Sequence, residues 1–463
     1  MLHSFNCFCD DFKINQCMCF AKNLFLAAFF SALILRTIGI YSLLSNTIDS
    51  CLFSSVSILG CLILLFQAIF LEKLKKVDKL LVLFFFASII SCIVNLKYEV
   101  WNNFKELIWS ALSFFLVYSP DNDNEKIIEI FKKVIIILCF FVSALSIIDF
   151  IIQQNYILYF ENKTIFIGFI ENRLYGLYFN PNVASKLALL SILFSIELIL
   201  SQPKKTKFQI TAIIVQFIYI SLSWSRVVTV ALSIVTALIS LVFFYQYKIK
   251  KFLKSLSLSL FLGLSSVLLN KLCRLIFSFI PPMMSKVFGI SGIPIENINM
   301  VRSDIVRNGI SNLRFKIWLS AWDLFKTSPI FGTSPRGIVK YAQNVIPETF
   351  IAIKNYQFMH NIFFGAFVYT GVLGSVFIIS FFIKKIIIIL KFYKKKSFKM
   401  NSLKFDFMIL SLFAVAVYSL FEQEIIFTNT INCLIFWLFL SEIVRFVKLA
   451  QSKEFFEKIG ELS

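Results

Sequence analysis

Apolar residues run through this chain in blocks long enough to cross a bilayer, parted by short polar segments rich in lysine. Roughly 20 apolar residues span a membrane as a helix. On that count the sequence predicts twelve spans, starting near Lys22, Cys51, Lys79, Phe104, Phe131, Val183, Phe208, Arg226, Phe252, Asn361, Lys404 and Ile425. The fourth, from Phe104 to Tyr118, is short. Loops after even-numbered spans read E-K-L-K-K-V-D-K (72–79), D-N-D-N-E-K (121–126), Q-P-K-K-T-K (202–207), Y-K-I-K-K (247–251) and K-F-Y-K-K-K-S-F-K (391–399). Most of these are lysine-rich. Short loops after odd-numbered spans carry few positive charges, and Ser45–Ser50 and Glu422–Glu424 carry none. The positive-inside rule then places both termini in the cytoplasm.

The same parity puts two longer loops on the outer side. One covers 154–182. The other runs from about Lys271 to Met359 and carries eleven Lys/Arg against four acids, a charge of +7. A loop of this length escapes the positive-inside rule, so its charge suggests an anionic partner or attraction to anionic lipid headgroups. Within it, L-R-F-K-I-W-L-S-A-W-D-L-F (313–325) repeats apolar residues at intervals of three and four. That spacing predicts an amphipathic helix lying on the membrane surface. T-S-P-I-F-G-T-S-P-R-G (327–337) should end it, because Pro and Gly break helices.

Composition agrees with this layout. The chain has 463 residues, 58% hydrophobic and 16% charged, which is too apolar for a soluble protein. The net charge of +20 would suggest nucleic acid in a soluble protein. Here much of it is the topology signal, and nucleic acid is not an expected partner. No short leader with a small-residue cleavage site is visible, so the first span would itself direct targeting. Of ten cysteines, Cys51, Cys61, Cys92, Cys139 and Cys433 lie in apolar spans and read as small hydrophobes. Cys7, Cys9, Cys17 and Cys19 form two C-x-C pairs in the N-terminal tail. The spacing is not the C-x-x-C of zinc sites, and the role of this tail stays open.

Candidate chemistry centres on His360, one of two histidines; the other, His3, is in the tail. His360 stands where the large loop meets an apolar span, and imidazole is suited to moving protons near neutral pH. It could equally cap a helix at the interface. Arg226 begins span eight in S-W-S-R (223–226), where its guanidinium could grip phosphate or snorkel beside Trp224. Arg173 lies in E-N-R-L-Y-G-L-Y-F-N-P-N (171–182), whose N-P-N turn could cap span six through Asn182. Arg36 is read as buried within span one, where intramembrane arginine is costly and suggests function, or as reaching out to the headgroups. Gly371 and Gly374 are read as allowing close helix contact rather than touching substrate. There is no phosphate loop, zinc helix or serine elbow. With one usable histidine and no facing acid cluster, neither metal nor cofactor is expected.

The run His360-Asn361, nine residues, Gly371, two residues, Gly374 resembles the H-[NSQ]-x9-G-x-x-G signature of bacterial O-antigen ligases. R-L-Y-G-L-Y-F-N-P-N (173–182), S-W-S-R (223–226) and R-F-K-I-W-L-S-A-W-D-L-F-K-T-S-P-I-F-G (314–332) resemble the wider O-antigen ligase and polymerase superfamily. The matches reach from Arg173 to Gly374 and separate ligase from polymerase poorly. The resemblance implies a metal-independent membrane glycosyltransferase of the bacterial inner membrane, with its active site facing the periplasm. The donor would be a glycan on undecaprenyl diphosphate. The acceptor would be lipid A–core oligosaccharide for a ligase, or another lipid-linked repeat unit for a polymerase. It assigns Arg226 and Arg314 to the diphosphate and His360 to the acceptor hydroxyl; beside these, Arg173 is read as a further diphosphate ligand and Asn361, Asn182 and Arg36 as supporting residues.

The expected protein is therefore an all-α polytopic membrane protein of about twelve transmembrane helices. A cytoplasmic tail (1–21) precedes nine spans (22–273). A large periplasmic loop (274–359), three more spans (360–447) and a second cytoplasmic tail (448–463) follow. A transporter of lipid-linked glycans or anions is the main alternative, but transporters gather functional groups near the bilayer midplane, and here they gather at the outer ends. A purely structural or binding role for the basic loop would leave the His360 motif unexplained.

Overall fold

The computed structural model describes residues 2–70, 77–120, 123–160, 163–203, 206–244, 252–288, 311–394 and 402–460. Among these lie most of both long loops, but not residues 289–310, which hold Glu296, Arg302, Asp304 and Arg307 of the large one. The side chains of Cys7 and Cys9 are also outside the described set, whereas Cys17 and Cys19 are exposed free thiols.

Long helices occupy each apolar block. In order these are α1 (Leu2–Leu35), α2 (Asn46–Phe70), α3 (Lys79–Val94), α4 (Val100–Ala111), α5 (Glu125–Ile151), α6 (Pro181–Ser201), α7 (Lys207–Ser223), α8 (Arg226–Phe243) and α9 (Phe252–Ser278). Then come α10 (Ile280–Phe288), α11 (Arg314–Thr327), two short helices α12 (Ile338–Val345) and α13 (Phe350–Lys354), and the long α14 (Ile362–Lys394), α15 (Ser402–Ser419) and α16 (Ile431–Gly460). The chain is 78% helical. Among the described residues, six helices are long and apolar enough to cross a membrane: Cys17–Leu35, Asn46–Ile69, Glu125–Ile151, Pro181–Ser201, Phe252–Val287 and Ile362–Lys394. Lys79–Val94, Lys207–Ser223 and Arg226–Leu241 are apolar but shorter. This is the pattern of a helical, multi-pass membrane protein. The short fourth block owes its extra turn to a π-helical stretch, Leu112–Val117, that prolongs α4.

Three details differ from the sequence reading. The loop 154–182 is not irregular but folds into an antiparallel sheet of β1 (Tyr156–Phe160), β2 (Lys163–Ile170) and β3 (Arg173–Gly176). Helix α1 starts at Leu2, so the tail and the first span are one helix. Helix α9 continues through Lys271 and Arg274 to Ser278, so these cations belong to a helix end rather than to a loop.

Helix α6 is the centre of the bundle. Ala184, Leu187, Ala188, Leu189 and Leu190 are fully buried, and α5, α7, α8 and α15 surround it. Its start is fixed by Asn180, whose side-chain oxygen accepts from the Asn182 amide at 2.8 Å, followed by Pro181 in the first turn. Asn180, not Asn182, is thus the cap. Proline at the first helical position lacks only an N–H that would have been orphaned anyway, which leaves the Asn182 side chain available for other work.

Helix α14 is broken inside. Gly371 has φ 64 and ψ −167, outside helical values. The segment 329–334 docks into the break: the Val372 amide donates to Pro329 O at 2.8 Å, and the Thr333 amide donates to Val368 O at 2.8 Å. A Cβ on Gly371 would lie 2.1 Å from the Ile330 carbonyl oxygen. The close contact expected of this glycine is therefore with the T-S-P-I-F-G-T turn rather than with a second helix. Gly371→Ala must adopt positive φ and displace backbone, a combined strain of about 2 kcal/mol or more. Reduced melting temperature and abundance are expected, and wild-type thermal stability would contradict the clash.

Candidate active site

The helix predicted at 313–325 is α11, begun by Leu313 in left-handed conformation at φ 67. Its buried face is Ile317, Ser320, Ala321 and Leu324. Trp318 stacks on Phe364 of α14 with ring centroids 5.8 Å apart, and its Nε1 donates to Met359 O at 3.0 Å. This bond anchors the residue just before His360. Phe315, Leu319 and Trp322 remain exposed on the opposite face. The helix is apolar toward protein and toward its surroundings, as suits one at a membrane surface.

His360 precedes the first turn of α14 and adopts φ 50. Asn361 is the helix cap: its Oδ1 accepts from the Phe363 and Phe364 amides at 2.8 and 3.1 Å, while its Nδ2 donates to Leu420 O at 2.9 Å. The H-N pair divides two jobs. Asn361 starts the helix and ties it to the end of α15, and the left-handed turn frees His360 from the helix. The Tyr356 ring meets the imidazole edge-on at 6.4 Å.

What His360 faces was not foreseen. Glu422 and Glu424 sit in the loop between α15 and α16, and Lys186 of α6 donates to both. Lys186 is fully buried. Arg314 lies 3.5 Å from Glu422 Oε1, and Asn182 Nδ2 donates to the same oxygen at 3.1 Å. Arg173 Nη2 in turn donates to Asn182 Oδ1 at 2.5 Å, and its Nε donates to Ser223 O at 3.0 Å. Ser223 ends α7, and Arg226 opens α8 three residues later. Residues from α6, the sheet, α7, α11 and the α15–α16 loop thus meet at the head of α14.

Electrostatics at this cluster are mutual. Burial lowers the His360 pKa from its ordinary value of 6.5, with Arg314 and Lys186 adding to the fall and Glu422 opposing it. The imidazole is therefore neutral at pH 7, the form that accepts a proton. Burial alone would raise the Glu422 carboxyl, but Lys186, Arg314 and His360 outweigh it and hold it below the usual carboxylate range. The expectation of no facing acid is corrected by Glu422, whose oxygens are already engaged by Lys186, Arg314 and Asn182. Among the described residues no group of three or more His, Cys, Asp or Glu is placed to hold a metal.

Not every candidate joins the cluster. Arg36 is not buried in a span: it lies in the turn just past α1. There it forms two bonds with Asp49, at 2.9 and 2.6 Å, and rests 3.2 Å over the Phe53 ring. Arg274 lies over the Trp224 ring at 3.8 Å. Arg274 is buried and donates to the Leu222 and Asn172 carbonyls at 3.1 and 2.8 Å, so it staples the sheet to α7. Lys186, Glu422 and Arg274 went unnoticed in the sequence. Each had one usable signal, an ionisable residue inside or at the rim of an apolar block.

No curated protein matches the chain. Residues 211–379, from within α7 into the second half of α14, match the family described as O-antigen ligase. The match contains Arg226, Arg314, His360 and Gly371, while Arg173, Asn182, Lys186 and Glu422 are supplied by segments outside it. That family supports a membrane glycosyltransferase of the ligase or polymerase type. With the helical membrane fold and the H-N…G-x-x-G run both in place, this part of the chain is similar to the O-antigen ligase family.

Proposed function

We propose that the protein transfers a glycan from undecaprenyl diphosphate to a lipid A–core oligosaccharide on the periplasmic face of the inner membrane, as an O-antigen ligase. The observation that carries this reading is the meeting of Arg173, Lys186 and Arg314 with Asn182, Glu422 and Glu424 beside a histidine whose pKa burial lowers. Guanidinium groups bind phosphate through paired hydrogen bonds, which suits Arg173 and Arg314, with Arg226 at the start of α8, to a diphosphate. The spans number twelve in this reading, with both termini cytoplasmic.

The step is a single displacement. The acceptor hydroxyl oxygen attacks the anomeric carbon, and the bond from that carbon to the diphosphate oxygen breaks. His360 takes the hydroxyl proton, and the arginines stabilise the negative charge that develops on the departing undecaprenyl diphosphate without a metal. Direct attack inverts the anomeric centre, so product of retained configuration would exclude this route. Arg314 is held by Glu422 in the absence of substrate; diphosphate would compete with that carboxylate for the guanidinium.

Deletion of the gene tests the assignment. Accumulation of long glycan chains on the lipid carrier is expected for a ligase. Single repeat units on the carrier would make the protein a polymerase, and an unchanged carrier pool would remove both.

A further inference from the structure

A polar cavity of about 730 Å³ is lined in part by segments that continue into the charge cluster. Glu106 and Trp109 of α4, Arg336 and Gln343 from the segment around α12, and Gln357 line it, with Asn429 from the α15–α16 loop. It adjoins the candidate active site through two shared segments. Gln357 is three residues before His360, and Asn429 belongs to the loop that carries Glu422. Tyr369 joins the two segments, its hydroxyl lying 2.9 Å from Gln357 O and 3.1 Å from Gln423 Oε1.

The chemistry of this cavity is unlike that of the cluster. Three of its four cations are held by carboxylates. Arg336 donates twice to Glu106, at 2.8 and 2.6 Å; Lys340 pairs with Glu99; and Arg36 pairs with Asp49. Matched charges leave little field for phosphate. Five primary amides, on Asn102, Gln343, Asn355, Gln357 and Asn429, line it; Asn102, Gln343 and Gln357 each donate within the protein, to Glu99, Asn355 and Pro335 O at 2.5, 2.8 and 2.9 Å, and each of these nitrogens carries a second hydrogen. Trp109 is fixed from behind by Phe29, stacked with centroids 4.8 Å apart. Amides, paired guanidinium and carboxylate, and one rigid indole match a ligand with many hydroxyls and weakly polar ring faces. They do not match an anion or an acyl chain.

We propose that this cavity binds neutral saccharide units of the acceptor and presents a hydroxyl toward His360. The inference rests on the glycosyltransferase reading for its role in transfer, but the binding itself can be tested alone.

The test places a photoreactive benzoylphenylalanine at Gln343, an exposed position on α12, in the full chain in cells. The same probe at Leu319, exposed on α11, serves as the comparison. Irradiation is expected to give adducts at 343 that carry saccharide by mass spectrometry, and only lipid at 319. Adducts at 343 that carry phospholipid alone, or no adduct, would overturn the proposal. Gln343→Trp, which fills the cavity, should lower transfer about tenfold or more with abundance and binding of undecaprenyl diphosphate unchanged. Wild-type transfer by Gln343→Trp would also overturn it. If the wild-type protein transfers no glycan yet saccharide adducts form at 343, the transferase reading fails and the binding site stands.

Discussion

Replacing His360 with alanine is expected to lower glycan transfer by about 10²–10⁴, the usual worth of a placed general base, with no loss of protein from the membrane. Two structural facts separate chemistry from folding. The His360 backbone adopts φ 50, a left-handed conformation in which histidine and asparagine are enriched over alanine, so His360→Ala adds a small local strain that His360→Asn avoids. The capping bonds belong to Asn361, so α14 keeps its start without the imidazole. His360→Asn sharpens the test, since asparagine favours the left-handed region and keeps a polar side chain but is not a base at neutral pH. Both variants should be normally abundant and inactive. Transfer near the wild-type rate by either would remove His360 from the mechanism.

The pH profile gives an independent reading of the same group. The His360 pKa is lowered by burial, and the neutral form does the work. The specificity constant kcat/KM should therefore climb as pH rises through a value below 6.5 and level off above it. An acid limb centred above 6.5 would mean that Glu422 outweighs burial at the imidazole, and a rate that falls as pH rises through this range would mean that histidine enters the reaction charged.

Much of this arrangement was legible in the sequence, and the parts that were not share a cause. Periodicity finds a helix and its faces, so α11 was located to within two residues. Two features missed in the sequence had local signals too. Asn-Pro marks a cap one residue before the proline, which is Asn180. The runs Y-I-L-Y-F and K-T-I-F-I-G-F-I are rich in the aromatic and β-branched residues of strands. The cluster around Glu422 had no comparable mark. Lys186 and Glu422 are 236 residues apart, and no period connects them. A hydropathy average absorbs one lysine in an apolar block, and the two glutamates served only to show that a short loop lacked positive charge. Arg36 illustrates the converse: its place in the sequence suggested a buried charge, but the helix ends one residue earlier and Asp49 meets it in the turn.

Lys186→Met is expected to have the largest effect on folding. Lys186 is fully buried at the centre of the bundle, and it is the cation that both Glu422 and Glu424 contact. Methionine fills a similar volume, so packing is nearly preserved and the loss is electrostatic. Breaking a buried pair by removing one partner typically costs about 3–5 kcal/mol, because the remaining charge stays desolvated. Here two carboxylates remain, and Arg314 at 3.5 Å and Asn182 at 3.1 Å can relieve only Glu422. Glu424 keeps Thr430 and Asn432, which donate at 3.0 and 3.1 Å but carry no charge. The variant should lose most of its folded population, read as a collapse of the melting temperature and of membrane abundance. Adding Glu424→Gln should recover part of it, because the second change removes the carboxylate that no other cation holds. The pH sign agrees: a carboxyl held below its usual range stabilises the fold above that range, and the benefit disappears as pH falls through the lowered value. In Lys186→Met that benefit shrinks, so mild acid, which neutralises the stranded carboxylates, should partly rescue the variant while weakening the wild type. A Lys186→Met protein that melts like the wild type, or a double variant less stable than the single one, would show that the cluster is not held together through this lysine.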